Sequence, residues 1–156
     1  MSRLRLVLVI VIILLNTVPS SATLLSGAQP PCAPTREDME GPFYRPGAPI
    51  RQSTGRGLVV SGAVKSADSC APVPAARIEW WQAGPSGHYD DEHRGALRTA
   101  DDGTYRFETD SPPAYFGRPP HIHVKVLAPG HRTLTTQLYP KAGQTHTTFD
   151  LVLVKG

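Results

Sequence analysis

Helical patterning is missing from this 156-residue chain. No stretch after the N-terminal segment shows the apolar recurrence of an amphipathic helix, and 16 prolines break the chain throughout, which excludes a helical bundle. Cysteine is scarce: only Cys32 and Cys70 are present. Neither lies near the His-rich segment, so cysteine is not read as a metal ligand. Basic clusters are absent as well, which removes the usual footprint of nucleic-acid binding. The one long apolar run, Leu6 to Leu15, has ten residues, too few for a bilayer span of roughly 20. No internal repeat or low-complexity tract occurs, and the length suits one domain.

The apolar run has a different reading. Arg3 and Arg5 precede it, and Asn16 to Ala22 turns small and polar. That order matches a secretory signal peptide over residues 1–22, with cleavage after Ala22 or after Ala28; a retained membrane anchor is the alternative. Its removal leaves 14 basic residues against 13 acidic ones, so the mature charge drops from +3 to +1. The expected product is an exported protein, periplasmic or extracellular, without a stable membrane anchor. In such a compartment an even cysteine count predicts a Cys32–Cys70 disulfide. It would tie an N-terminal arm to a hairpin loop before Pro72, with a stabilisation of about 3–4 kcal/mol in the chain-entropy picture. Two unrelated thiols are the alternative.

Residues 23–56, rich in Pro, Gly and Ser, read as that arm. From residue 57 the chain becomes a series of short β-prone runs: 58–64, 76–82, 96–99, 104–108, 121–127, 133–139 and 147–154. Asp101-Asp102-Gly103 predicts a hairpin turn joining the third run to the fourth. Seven short strands with turn residues between them predict an all-β fold, an antiparallel β-sandwich or open barrel, with the domain spanning 57–156.

One segment carries chemistry. His121 and His123 are two apart in a strand-like run, so both imidazoles share a face and Ile122 points the other way. Two nitrogen donors on a rigid strand are half of a metal site. Tyr115 just upstream can add an oxygen donor, and Arg118 puts a fixed positive charge beside whatever the metal binds. Tyr89, in a polar loop, reads alone as a half-exposed surface ring.

Taken in order, the motifs say more. They are Gly41-Pro42-Phe43-Tyr44-Arg45; Gly62-x-Val64; Cys70-x-Pro-Val-Pro-x-Ala76-x-Ile-Glu-Trp-Trp-Gln-Ala83; Tyr89; Arg98-Thr-x-Asp-Asp-Gly-x-Tyr-x-Phe107; Pro113-x-Tyr115; and Arg118-Pro-x-His-Ile-His123. From about Glu40 to Tyr139 the chain resembles the intradiol ring-cleavage dioxygenases, the non-haem iron(III) enzymes that include protocatechuate and catechol dioxygenases. The resemblance implies Fe(3+) held by Tyr89, Tyr115, His121 and His123. It implies Tyr115 as the equatorial tyrosinate and Tyr89 as the axial one, displaced by substrate and serving as base. It also implies Arg118 against a bound catechol-type substrate and Gln137 near that substrate. The expected reaction uses O2 and yields a cis,cis-muconate-type dicarboxylate. Two phenolates suit such a set, since hard anionic donors favour iron(III) and only a strongly charged ion keeps them deprotonated at neutral pH.

Arg118 follows Tyr115 by three positions, closer than in the well-known ring-cleaving members. The shorter loop implies a shallower, more open site that accepts bulky or lignin-derived catechols. Phe43 and Tyr44 are candidates to line the pocket, with arm packing as the alternative. Of Trp80 and Trp81, one is expected in the core and the other at the edge of the site. His88, His93, His131 and His146 read as surface or hydrogen-bonding residues, and Asp101 and Asp102 as turn chemistry. The competing function is a non-catalytic transthyretin- or carboxypeptidase-regulatory-like binding module, which shares the Pro-Val-Pro and Asp-Gly-x-Tyr-x-Phe elements but needs no metal set. The oligomeric state is open.

Overall fold

A computed structural model describes residues 32–156. The segment read as a signal peptide, and arm residues up to 31, lie outside the described residues. Nine strands follow in order: β1 (Ser53–Thr54), β2 (Leu58–Ser66), β3 (Arg77–Ala83), β4 (Tyr89–Arg98), β5 (Thr104–Thr109), β6 (Ile122–Leu127), β7 (Leu134–Leu138), β8 (His146–Thr148) and β9 (Leu151–Leu153). They form two sheets. One runs β4-β3-β6-β7, and the other runs β1-β5-β2-β8 with β9 also on β2.

The first sheet is antiparallel throughout. The second is antiparallel at β2/β5 but parallel at β1/β5, β2/β8 and β2/β9. Alternation along β2 places Leu58, Val60 and Val64 in the core. There they meet Ile78, Trp80, Ile122, Val124 and Val126 from the other sheet, with Phe107 between. Trp80 stacks on Phe107 at 4.2 Å, and its indole N–H donates to Thr54 Oγ1 at 2.8 Å. Gly95, opposite Trp80 in the β3/β4 ladder, leaves room for that indole: a Cβ there would meet the ring at 2.3 Å.

Two expectations change. The Asp101–Gly103 turn forms, with Ala100 N–H donating to Thr104 O, but β4 and β5 lie in different sheets, so the turn is a crossover and not a hairpin. The hairpin loop that carries Cys70 does form, with Lys65 bridged to Pro72 and Ser66 N–H donating to Ala71 O, before the chain crosses to β3 in the other sheet. Strand β4 begins at Tyr89, seven residues before the predicted run. Its opening Tyr-Asp-Asp-Glu reads as loop because β4 is an edge strand, where charged residues face solvent and blunt the open edge.

The arm from residue 32 to 52 has no strand, although Ile50 bridges to Ala96. It is fastened at intervals. Cys32 joins Cys70 in a disulfide across 38 residues, Thr35 and Val152 exchange hydrogen bonds, and Asp38 N–H donates to Thr135 O. The arm therefore covers the outer face of the first sheet. That is why β3 is buried on both faces from Ile78 to Ala83.

Candidate metal centre

The centre is built on β6. His121, just before the strand, and His123 both point outward under the arm and are each 2% exposed, while Ile122 enters the core. Their rings lie 5.0 Å apart. Trp81, opposite His123 in the β3/β6 ladder, lays its indole flat on that imidazole at 5.0 Å and 9°. Trp80 points inward and Trp81 caps the site, which follows from strand alternation.

Tyr89 arrives from the far end of the same sheet. A register shift between Trp81 and Ala83 places it opposite Ala83. Its hydroxyl lies 3.0 Å from His121 Nε2 and 3.2 Å from His123 Nε2. The Tyr115 ring meets the Tyr89 ring edge-on at 5.2 Å. One oxygen and two nitrogens thus converge, with a second phenol against them.

Each imidazole is oriented from behind. His121 Nδ1 donates to Pro119 O at 2.8 Å and His123 Nδ1 to Met39 O at 3.2 Å. A proton held at Nδ1 leaves the Nε2 lone pair pointing at the convergence point, the arrangement that metal-ligating histidines use. Burial pulls both imidazole pKa values down, His123 to about 4 with help from His121 beside it. Burial pushes Tyr89 up to about 12, against the pull of Arg118. Alone, the cluster holds neutral imidazoles and a neutral Tyr89 phenol, so ionising that phenol requires a concentrated positive charge. Among the described residues no group of three or more His, Cys, Asp or Glu could hold a metal. The donors that stand beside the two Nε2 atoms are phenols, and a phenol–imidazole set fits iron(III) better than softer or lower-valent ions.

Tyr115 and Arg118 exchange backbone hydrogen bonds across a two-residue turn. Phe116 and Gly117 both have positive φ, 44° and 75°. The tight turn swings Arg118 back over the imidazoles, with Nη1 3.5 Å from His121 Nε2. Arg118 Nη2 donates to Gln137 Oε1 at 2.7 Å, and Gln137 Nε2 donates to Met39 O at 2.6 Å. Tyr139 Oη, 3.3 Å from Arg118 Nη2, donates to Asp38 Oδ2 at 2.8 Å.

The structure brings Tyr89, Tyr115, Arg118, His121 and His123 to one place, and sorts the other candidates. Phe43 joins them, stacked on Tyr89 at 4.3 Å and edge-on to Tyr115 at 5.9 Å. Tyr44 does not. Its hydroxyl donates to buried Glu79, and its ring lies between Trp81 and Lys125 Nζ. Gln137 spends both ends of its amide on Arg118 and Met39, so it orients the arginine. Sequence reasoning missed the Met39 carbonyl, because a main-chain acceptor has no signature. It also missed Tyr139, although the Thr-Gln-Leu-Tyr alternation puts Tyr139 on the face of Gln137.

Comparisons with known proteins agree with this geometry. No protein-family model matches the chain. It is 34% identical over 139 residues to the chlorocatechol 1,2-dioxygenase of Cupriavidus pinatubonensis, covering 67% of this chain and 54% of that one. A 6-chlorohydroxyquinol 1,2-dioxygenase of the same species is 30% identical over 154 residues, covering 77% of this chain and 55% of that one. The chain spans about half the length of these curated relatives. Among solved structures, the dioxygenase domain of a dioxygenase–carbohydrate-binding fusion from Streptomyces sp. SirexAA-E superposes with a TM-score of 0.72 at 34% identity. That match covers 80% of this chain and all of the other. With a solved dioxygenase domain covered in full at this identity, and the His-x-His, tyrosine and arginine set brought together in the structure, the chain belongs to the intradiol ring-cleavage dioxygenases.

Proposed function

We propose that this protein is an exported iron(III) dioxygenase that cleaves a catechol-type diol between its two hydroxylated carbons, using O2 and giving a cis,cis-muconate-type dicarboxylate. The observation that carries the reading is the convergence of Tyr89 Oη on the Nε2 atoms of His121 and His123. Both nitrogens present lone pairs, and their far sides are already bonded. A binding module has no use for that preorganisation.

Tyr89, Tyr115, His121 and His123 would hold the iron. When bound, iron(III) supplies Lewis acidity that keeps the phenols ionised and makes the diol ring carbon reactive toward O2. Tyr89 is wedged between the histidines and Phe43 on a paired strand. Tyr115 sits in the irregular segment between β5 and β6, next to a two-residue turn. We therefore assign Tyr89 as the fixed anchor, and Tyr115 as the phenol that swings aside and takes a substrate hydroxyl proton at Oη. This reverses the roles the resemblance implies. Arg118, held by Gln137 beside the imidazoles, would face negative charge developing on the ring and lower the barrier without reorganising. The tight 115–118 turn is in keeping with a shallow site and a bulky catechol.

Export is supported by the charged, apolar and small-residue order of residues 1–22, and by the Cys32–Cys70 disulfide, a bond that persists in oxidising compartments. The test is optical. Iron-loaded protein should be red-brown from tyrosinate-to-iron charge transfer. Anaerobic catechol should shift the band, and oxygen should then release a dicarboxylate carrying both atoms of O2. Protein that stays colourless after iron reconstitution overturns the proposal.

A further inference from the structure

The metal centre is roofed by a segment with no regular structure. Met39 O accepts from His123 and Gln137, and Lys125 Nζ pairs with Glu40 at 2.6 Å. Gly41, at φ 72°, passes so close to His123 that a Cβ would sit 3.2 Å from Cε1. Phe43 then lies on Tyr89 at an interplanar angle of 13°, and the same ring meets Tyr115 at 89°.

Arg94 is the unexpected neighbour. It is opposite Trp81 in the β3/β4 ladder, 4% exposed, and its Nη1 donates to the Phe43 carbonyl at 2.5 Å. Its Nε has no hydrogen-bond partner, although Asp91 Oδ1 lies 3.4 Å away. Burying a guanidinium is costly unless its bonds are made. Here a principal acceptor is one backbone oxygen of the arm. Tyr89 needs such help. It sits at the first residue of an edge strand, beyond the register shift and paired on one side only.

We propose that Arg94 and Phe43 are a positioning pair. Arg94 pins the arm's backbone at Phe43, and the Phe43 ring sets the plane of Tyr89, so the metal centre is complete only when the arm is docked. The inference rests on Tyr89 being a metal ligand, and its test begins in metal-free protein, so the two readings can fail separately.

Phe43→Leu keeps apolar bulk and loses the flat ring; Arg94→Gln keeps a polar side chain and loses the charged donor. In metal-free protein, Tyr89 ring flipping by NMR should be slow in wild type and fast in both variants. Cooperative thermal unfolding should be retained. After iron loading, both variants should show a displaced charge-transfer band. Their kcat should fall about 10- to 100-fold with a smaller change in KM, the scale expected for a misplacement of about 1 Å. Phe43→Tyr should restore the band and kcat. Unchanged Tyr89 ring dynamics in both variants overturns the proposal, whatever the colour does. A wild type that never takes up iron defeats the metal reading, while the flip comparison still decides the pair. Should Phe43→Leu fail to fold, Arg94→Gln carries the same test.

Discussion

The two faces of strand β6 are made of neighbouring residues and obey different rules. Ile122, Val124 and Val126 enter a core of apolar side chains from both sheets. His121 and His123 leave on the opposite face into a shell of phenols, an arginine and main-chain carbonyls. On the core face identity matters through volume, and neighbours of similar shape can substitute. On the site face it matters through which atom points where. A polar group there is held from behind as well as used in front, so most of its partners are not in the motif at all.

Substitutions should separate the faces cleanly. The largest effect is expected at His121. His121→Ala removes an Nε2 lone pair from the convergence point, and iron binding and the visible band should vanish, while urea unfolding stays cooperative. A variant that still colours would mean the metal lies elsewhere. Next is the core side. Trp80 is fully buried, stacked on Phe107 and bonded to Thr54. Trp80→Ala should cost about 3–5 kcal/mol in urea unfolding, yet leave the colour per folded molecule intact. Loss of colour without loss of stability would erase the distinction between the faces.

Arg118→Gln should lower turnover about 10²- to 10³-fold while the iron and its band remain. Its effect on unfolding should stay within about 0.5 kcal/mol. Normal turnover in this variant would remove Arg118 from the chemistry.

The smallest effect tests the sheet's edge. His93 bonds Asp90 at 2.7 Å and Asp110 at 3.1 Å, tying β4 to the end of β5. Burial pulls its pKa down, but the two carboxylates outweigh this and the pKa is raised. The linked stability is therefore full below the unfolded value of about 6.5 and is lost as pH rises through the raised folded value. Asp90, held below the usual carboxylate range, adds stability that is lost as pH falls through its own lowered pKa. His93→Gln should cost about 1–2 kcal/mol just below pH 6.5 and progressively less above the raised folded value, read by urea unfolding against pH. A pH-independent penalty would mean that the pair acts only through packing.

Much of this was legible in advance because it is local. Strand alternation alone puts His121 and His123 side by side and sends Ile122 inward. The signals of Asp101–Gly103 correctly mark a turn. What failed was pairing. That turn connects two sheets, since each sheet takes the partner that buries its apolar face, and no local signal says which. Tyr89 looked like loop because the charged residues after it protect an edge strand. Gln137 sat in the right place, but its bonds to Arg118 and to Met39 could not be foreseen, because partners 98 residues apart in sequence cannot be read from either one.

The order of residue types along the chain settles which donors exist, which of them share a strand face, and that the fold is built of strands. Those properties depend on a few consecutive residues and on the two-residue period of the β-backbone. The meeting of Tyr89 with the two histidines, the arm carbonyl that orients His123, and the buried arginine behind Phe43 come from packing segments tens of residues apart. That packing is chosen by burial and hydrogen-bond satisfaction over the whole molecule.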